Sequence, residues 1–342
     1  MKKILPQILI ISFVGCAKHD NIDTYLNALH HHGEINGNVL VIKDGKIIYE
    51  NSFGYVDGSK STMLTKNHRF NIGSIYKEFP AVLIMQLFEK GHLKLEDNIS
   101  KYITDLPDWS EKITIDNLLK YSSGLPTFDW DSYFSRGITM NDNDVIEEIK
   151  AVKNLEFEPG SDYLYSNMNP VLLIKIVENI TKTDFREYLQ ANIFRPHRMH
   201  NTLLKKQIPY EDKLLMAIPF DGDFKEDDNS ISVDTFLMSS TTNDLAKWFE
   251  ELGDFKVINK QSLKTLSETA MRRANIQSAL GYTEWENDKL IEHSHHGSMS
   301  NYESLVRRFK QDRITIVITT NQKRQNLYEI TNEILGILNR MK

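Results

Sequence analysis

The sequence predicts an α+β fold: one antiparallel sheet built from strands at both chain ends and flanked by terminal helices, with a large, mainly helical insertion. Three observations carry this. Val39-Leu40-Val41-Ile42 and Ile47-Ile48-Tyr49-Glu50 flank Lys43-Asp44-Gly45-Lys46, a hairpin signal near the N-terminus. Near the C-terminus, Tyr302 to Phe309 and Ile314 to Thr320 read as strands around Lys310-Gln311-Asp312-Arg313. Between them, apolar residues recur at helical spacing in Val82 to Phe88, Ile115 to Leu119, Val171 to Ile180 and Leu245 to Phe249. The expected organisation is a single catalytic domain over 20–342. Its sheet lobe takes about 20–73 and 271–342, and its helical lobe about 74–270.

In chain order, Met1-Lys2-Lys3 precedes an apolar run from Ile4 to Val14 and then Gly15-Cys16. Two lysines before a run too short to span a bilayer read as an export signal over residues 1–15. Phe13-Val14-Gly15-Cys16 resembles a bacterial lipobox, with Phe13 where leucine is usual. The resemblance implies a lipid on Cys16, a short linker over 16–19, and attachment to a membrane of the cell envelope, at the periplasm or cell surface. Ile22, Tyr25, Leu26 and Leu29 then share a helical face, and Leu327, Ile330, Ile334, Leu335 and Ile337 mark a final amphipathic helix.

Composition narrows the function. The chain has 342 residues, 40% of them hydrophobic and 26% charged, which is ordinary for a globular protein. A net charge of −6 without a basic stripe argues against nucleic acid as a partner. One cysteine excludes a disulfide framework and a cysteine-based zinc site.

Three short patterns could carry chemistry. Ser74-Ile75-Tyr76-Lys77 puts an amine one helical turn from a hydroxyl, at a helix start whose free N–H groups favour negative charge. Pro80 implies a kink or restart near Phe79. Tyr165-Ser166-Asn167, before the apolar helix from Pro170, can turn a phenol and an amide to one side. His295-His296-Gly297-Ser298 sits on a strand beginning near Leu290, where glycine permits close backbone approach and an N–H can meet an oxyanion. Decoys exist at Tyr25-Leu26-Asn27 and His31-His32-Gly33. A catalytic zinc on His293, His295 and His296 is the competing reading, although the usual metallo-hydrolase spacings are missing.

Ser-x-x-Lys, Tyr-x-Asn and His-x-Gly in that order resemble the serine beta-lactamase-like family: class C beta-lactamases, D-alanyl-D-alanine carboxypeptidases and related esterases. The similarity extends through Gly37 to Tyr55, Phe70-Asn71-Ile72-Gly73, Leu87 to Tyr102, Ile113 to Leu119 with Ser122-Ser123-Gly124-Leu125, Phe157 to Val171 and Ser239 to Phe249. Two departures stand out: His295 replaces the lysine of true lactamases, and Gly297-Ser298-Met299-Ser300-Asn301 replaces a Gly-x-x-Pro-Gly block.

The resemblance implies a beta-lactamase/transpeptidase-like fold and an acyl-enzyme on Ser74, with Lys77 and Tyr165 as candidate bases. A charged Lys77 would lower the Tyr165 pKa so that its phenolate takes the proton; a neutral Lys77 acting directly is the alternative. Backbone N–H groups of Ser74 and Ser298 would hold the oxyanion, Asn167 the acyl amide, and His295 with Gly297 the leaving-group or carboxylate end. No metal or organic cofactor is required. Expected substrates are small molecules or peptidoglycan-type peptides, handled by an esterase or D-amino-acid peptidase rather than a true lactamase. A true beta-lactamase or a slow-turnover penicillin-binding protein is the alternative reading, and a zinc hydrolase or an inactive binding module the distant one. Specificity would lie in Phe128 to Met140 and Pro219 to Asp234. With an ordinary pKa near 6.5, His295 would carry a partial charge at neutral pH.

Overall fold

The computed structural model describes residues 19–129, 139–204, 214–227, 231–271, 276–324 and 326–340. The expected export segment with Cys16, and parts of both candidate specificity loops, lie outside them. Ten strands are described: β1 (Gly37–Lys43), β2 (Lys46–Phe53), β3 (Phe70–Asn71), β4 (Met140–Asn141), β5 (Ile231–Ser232), β6 (Ser239–Ser240), β7 (Tyr282–Glu286), β8 (Lys289–Met299), β9 (Tyr302–Phe309) and β10 (Ile314–Thr320). Six of them form one antiparallel sheet in the order β2-β1-β10-β9-β8-β7. The two hairpins are local, but Val41 opposite Ile316 joins the chain ends through the middle of the sheet. This is the α+β architecture expected from the sequence.

Side-chain alternation splits the sheet between two cores. Val39, Val41, Leu305, Ile316 and Ile318 pack with Ile22 and Leu26 of α1 (Ile22–His31) and with Ile330, Ile334 and Ile337 of the last helix, Leu327–Arg340. Their neighbours Leu40, Val306 and Val317 belong instead to the core of the helical region. At the centre of that region lies α2 (Glu78–Glu89), buried on all sides from Glu78 to Met85. The chain restarts here as the sequence implied. A 3-10 turn over Gly73–Lys77 changes to α-helix at Glu78, which puts Pro80 in the first α-helical turn, where its missing N–H costs nothing. The Tyr25 decoy packs against the terminal-helix core, and His31 and His32 close α1. No described helix is long and apolar enough to cross a membrane.

Candidate active site

The site is assembled where β8 meets the 3-10 turn. Asn71 sets the entry: its Nδ2 donates to the Phe236 carbonyl at 3.1 Å, and its Oδ1 accepts from the Gly73 N–H at 2.8 Å. Gly73 then takes φ +50°, a conformation that favours glycine. In a 3-10 turn, residues three apart eclipse. Lys77 Nζ accordingly lies 2.9 Å from Ser74 Oγ.

Electrostatics around that pair differ from the sequence expectation. Lys77 is buried, and its amine lies 4.7 Å from the Tyr76 ring centroid and 5.0 Å from that of Tyr165. Burial pushes its pKa down to about 7, with no ion-pair partner for it among the described residues. Tyr165 moves the other way. Burial raises its phenol above the usual value; Ser74 and Tyr121 pull against this, and among the described residues the phenol oxygen has no hydrogen-bond partner. The Tyr165 ring packs on Tyr121, centroids 4.7 Å apart. Two bonds hold their loops together: Leu164 N–H to the Tyr121 carbonyl at 2.9 Å, and the Ser166 hydroxyl to the Pro126 carbonyl. Asn167 precedes the helix Met168–Thr181, half-buried, and its side chain makes no capping bond.

Gly297 and Ser298 on β8 close the site. A Cβ on Gly297 would lie 1.9 Å from the Ile72 carbonyl oxygen and 2.9 Å from the Ser74 nitrogen. One on Gly73 would lie 2.3 Å from the Ser298 nitrogen. Two glycines thus let the two backbones touch, and the nitrogens of Ser74 and Ser298 both lie at this contact. Lys323 adds a cation at the rim, its Nζ 3.2 Å from Ser298 Oγ.

The three histidines do not converge. His293 and His295 both reach the buried Glu78 carboxylate, whereas His296 turns to Glu303 on β9 and Tyr328 in the last helix. Strand alternation sends neighbouring side chains to opposite faces, so this zinc reading fails on geometry. His295 also departs from the expected partial charge. Burial lowers its pKa against the opposing pull of Glu78, which shifts the ring toward its neutral form.

Comparison with known proteins now decides the family: the Beta-lactamase family model matches residues 22–337. The chain belongs to the beta-lactamase family. Among its relatives, Protein flp of Staphylococcus aureus (strain MW2) is 28% identical over 88% of this chain and 62% of its own length. The chain thus spans about three fifths of that relative. Penicillin-binding protein 4* of Bacillus subtilis (strain 168) is 26% identical over 91% of this chain and 74% of its own. A penicillin-binding protein from Bacillus halodurans superposes with a TM-score of 0.78 at 21% identity, covering 92% and 99% of the two chains. The D-amino acid amidase of Ochrobactrum anthropi SV3 does so with 0.77 at 19%, covering 94% and 98%. Both share the fold described above.

Sequence reasoning missed Glu78, Tyr121 and Lys323. Glu78 had no signal, because a glutamate opening a helix ordinarily faces water. Tyr121 lies beside the recognised Ser122-Ser123-Gly124-Leu125 block, which could have drawn attention to it.

Proposed function

We propose that the chain is a serine hydrolase that cleaves an ester or amide through an acyl-enzyme on Ser74, as an esterase or a D-amino-acid peptidase. The supporting observation is a buried amine with a pKa of about 7 held 2.9 Å from the serine hydroxyl. An ordinary lysine would be charged at neutral pH and unable to accept a proton; this one is substantially neutral. Neutral Lys77 takes the Ser74 proton as Oγ bonds to the substrate carbonyl carbon. The resulting oxyanion sits between the N–H groups of Ser74 and Ser298, a donor of this kind being worth about 3 kcal/mol. The carbonyl re-forms, the bond to the leaving group breaks, and the ammonium of Lys77 protonates that group. Water then repeats the sequence on the acyl-enzyme, with Lys77 again accepting and returning one proton. Tyr165, kept protonated by burial, donates within this group rather than acting as a phenolate. Asn167 binds the acyl amide.

A neutral His295 disfavours substrates that need a cation at that position, which supports esters and uncharged amides over beta-lactam turnover. Relatives named penicillin-binding proteins keep acylation by a penicillin within reach as a slow side reaction. The same proposal includes export, lipidation at Cys16 and work at the cell envelope on small molecules or peptidoglycan-type peptides. Intact-protein mass spectrometry after incubation with a penicillin and with an activated ester tests the core of it. A transient ester-derived adduct with rapid turnover is the expected result; no adduct from either reagent would leave only a binding module.

A further inference from the structure

Directly after Lys77, α2 opens with Glu78, whose carboxylate is fully buried. Its Oε1 accepts from His293 Nε2 at 2.9 Å and from His295 Nδ1 at 2.8 Å, while Oε2 accepts from Trp248 Nε1 at 2.7 Å. Burial alone would raise this carboxyl, yet the field of His293 and the hydrogen bonds from both imidazoles outweigh it and hold it well below the usual carboxylate range. Donor geometry then dictates the tautomer. A neutral His295 donating from Nδ1 carries a lone pair on Nε2, and that atom is buried without a partner. The ring has one place to sit: a Cβ on Gly281, at φ +71°, would lie 2.7 Å from its Cγ. His293 beside it stacks on Phe249, ring centroids 4.3 Å apart. A buried acceptor left unpaired is costly unless a donor reaches it at some stage.

We propose that Glu78 is a positioning residue for the reaction: by anchoring His295 through Nδ1, it makes Nε2 a neutral acceptor for the donors of the Ser74–Lys77–Tyr165 group once Lys77 carries the serine's proton. This rests on the hydrolase reading above. The charged and titratable groups acting on His295 are Glu78 from α2, His293 from its own strand and Lys77 from the 3-10 turn. Ser74, Tyr76 and Tyr165 stand around Lys77; His295 is tied to the same turn through Glu78, the residue after Lys77, and shares its strand face with Gly297, which packs on the Ser74 nitrogen. A cation at position 295 would oppose formation of the Lys77 ammonium; a lone pair favours it.

Glu78→Gln tests this with almost no change of shape. The indole of Trp248 can only donate, so the new amide must turn its oxygen there and its NH2 toward the imidazoles. His295 must then accept through Nδ1, so its Nε2 changes from acceptor to donor. For p-nitrophenyl butyrate, kcat should fall about tenfold and the acidic limb of kcat/KM should move about one pH unit down, because the ammonium loses an acceptor and a nearby negative charge. A purely structural role predicts the opposite sign, since a loosened, wetter site would let Lys77 climb back toward 10.5. A limb that moves up or stays put therefore overturns the proposal.

Nitrogen-15 shifts of His295 in the wild-type chain, assigned by their loss in His295→Gln, give a second test that does not need Glu78→Gln to fold. They should report a neutral ring protonated on Nδ1; an Nε2–H tautomer or an imidazolium at neutral pH refutes the assignment. If Glu78→Gln changes nothing while Ser74→Ala abolishes the adduct, the hydrolase reading stands and this inference alone falls. If the wild-type chain forms no adduct, both fall.

Discussion

Gly297→Ala strikes the backbone contact on which the proposed oxyanion site depends. The added Cβ would lie 1.9 Å from the Ile72 carbonyl oxygen and 2.9 Å from the Ser74 nitrogen, and real Cβ contacts essentially never fall below 3.0 Å. Because both obstructing atoms are backbone, no rotamer change relieves the clash, and β8 must part from the 3-10 turn by about 1 Å. That displacement carries the Ser298 N–H away from the Ser74 nitrogen. Misplacing a reacting group by about 1 Å costs roughly 100-fold, and losing one oxyanion donor costs about 100- to 1,000-fold in kcat, or about 3–4 kcal/mol. The oxyanion exists only beyond the ground state, so KM should change little while kcat collapses. Overpacking adds about 1–3 kcal/mol of destabilisation, visible as a lower Tm. Steady-state kinetics on an activated ester, with circular-dichroism melting, measure both effects. A folded Gly297→Ala within threefold of wild-type kcat would show that the Ser298 N–H does not serve the oxyanion.

Four further outcomes follow from the same geometry. Ser74→Ala should lose all adduct formation and keep its Tm within a few degrees; an adduct formed at the wild-type rate would move the nucleophile elsewhere. With Lys77 at about 7, kcat/KM should be lost below that pH and rise to a plateau above it, because only the neutral amine accepts a proton. A limb centred near 10 would return the base role to an ordinary lysine or a phenol. Lys77→Met should be inactive yet more stable by roughly 2–4 kcal/mol at pH 7, since the native state no longer holds a lysine whose pKa it must depress; that gain should shrink as pH rises toward 10.5, as urea unfolding across pH would show. Cys16→Ser should release the protein from washed membranes or stall its processing, and unchanged retention would point to a plain signal peptide and another anchor.

Much of the architecture was legible because it is local. The β1–β2 and β9–β10 hairpins are each encoded within about twenty residues, two runs rich in apolar and β-branched side chains around a polar turn. Ser74 and Lys77 were legible for the same reason, since one turn of helix brings them together. The Glu78 cluster was not. Its partners His293 and His295 lie 215 and 217 residues away, and nothing in Lys77-Glu78-Phe79 distinguishes a buried carboxylate from a solvated one. Charge states were equally hidden, because they follow from burial. Reference pKa values favoured a cationic Lys77 with a Tyr165 phenolate in its field, with a neutral Lys77 as the alternative, and a half-charged His295; desolvation moves Lys77 and His295 toward neutrality and Tyr165 away from the phenolate.

These shifts share one cause and fit together chemically. The rings of Tyr76 and Tyr165 face the Lys77 amine, and Tyr121 packs behind Tyr165, so among the described residues rings rather than carboxylates line this amine. An aromatic wall stabilises a cation through its π-face by only about 1–2 kcal/mol, less than full hydration provides, so the ground-state amine sheds its proton near neutrality. In the proposed transfer, however, those ring faces and a neutral His295 would receive the ammonium once the serine proton arrives. Placing a formal cation at position 295 would tilt that balance toward neutral Lys77 and against the transfer. The substitution of histidine for lysine, and the buried glutamate that anchors it, therefore read as parts of one adjustment of the base.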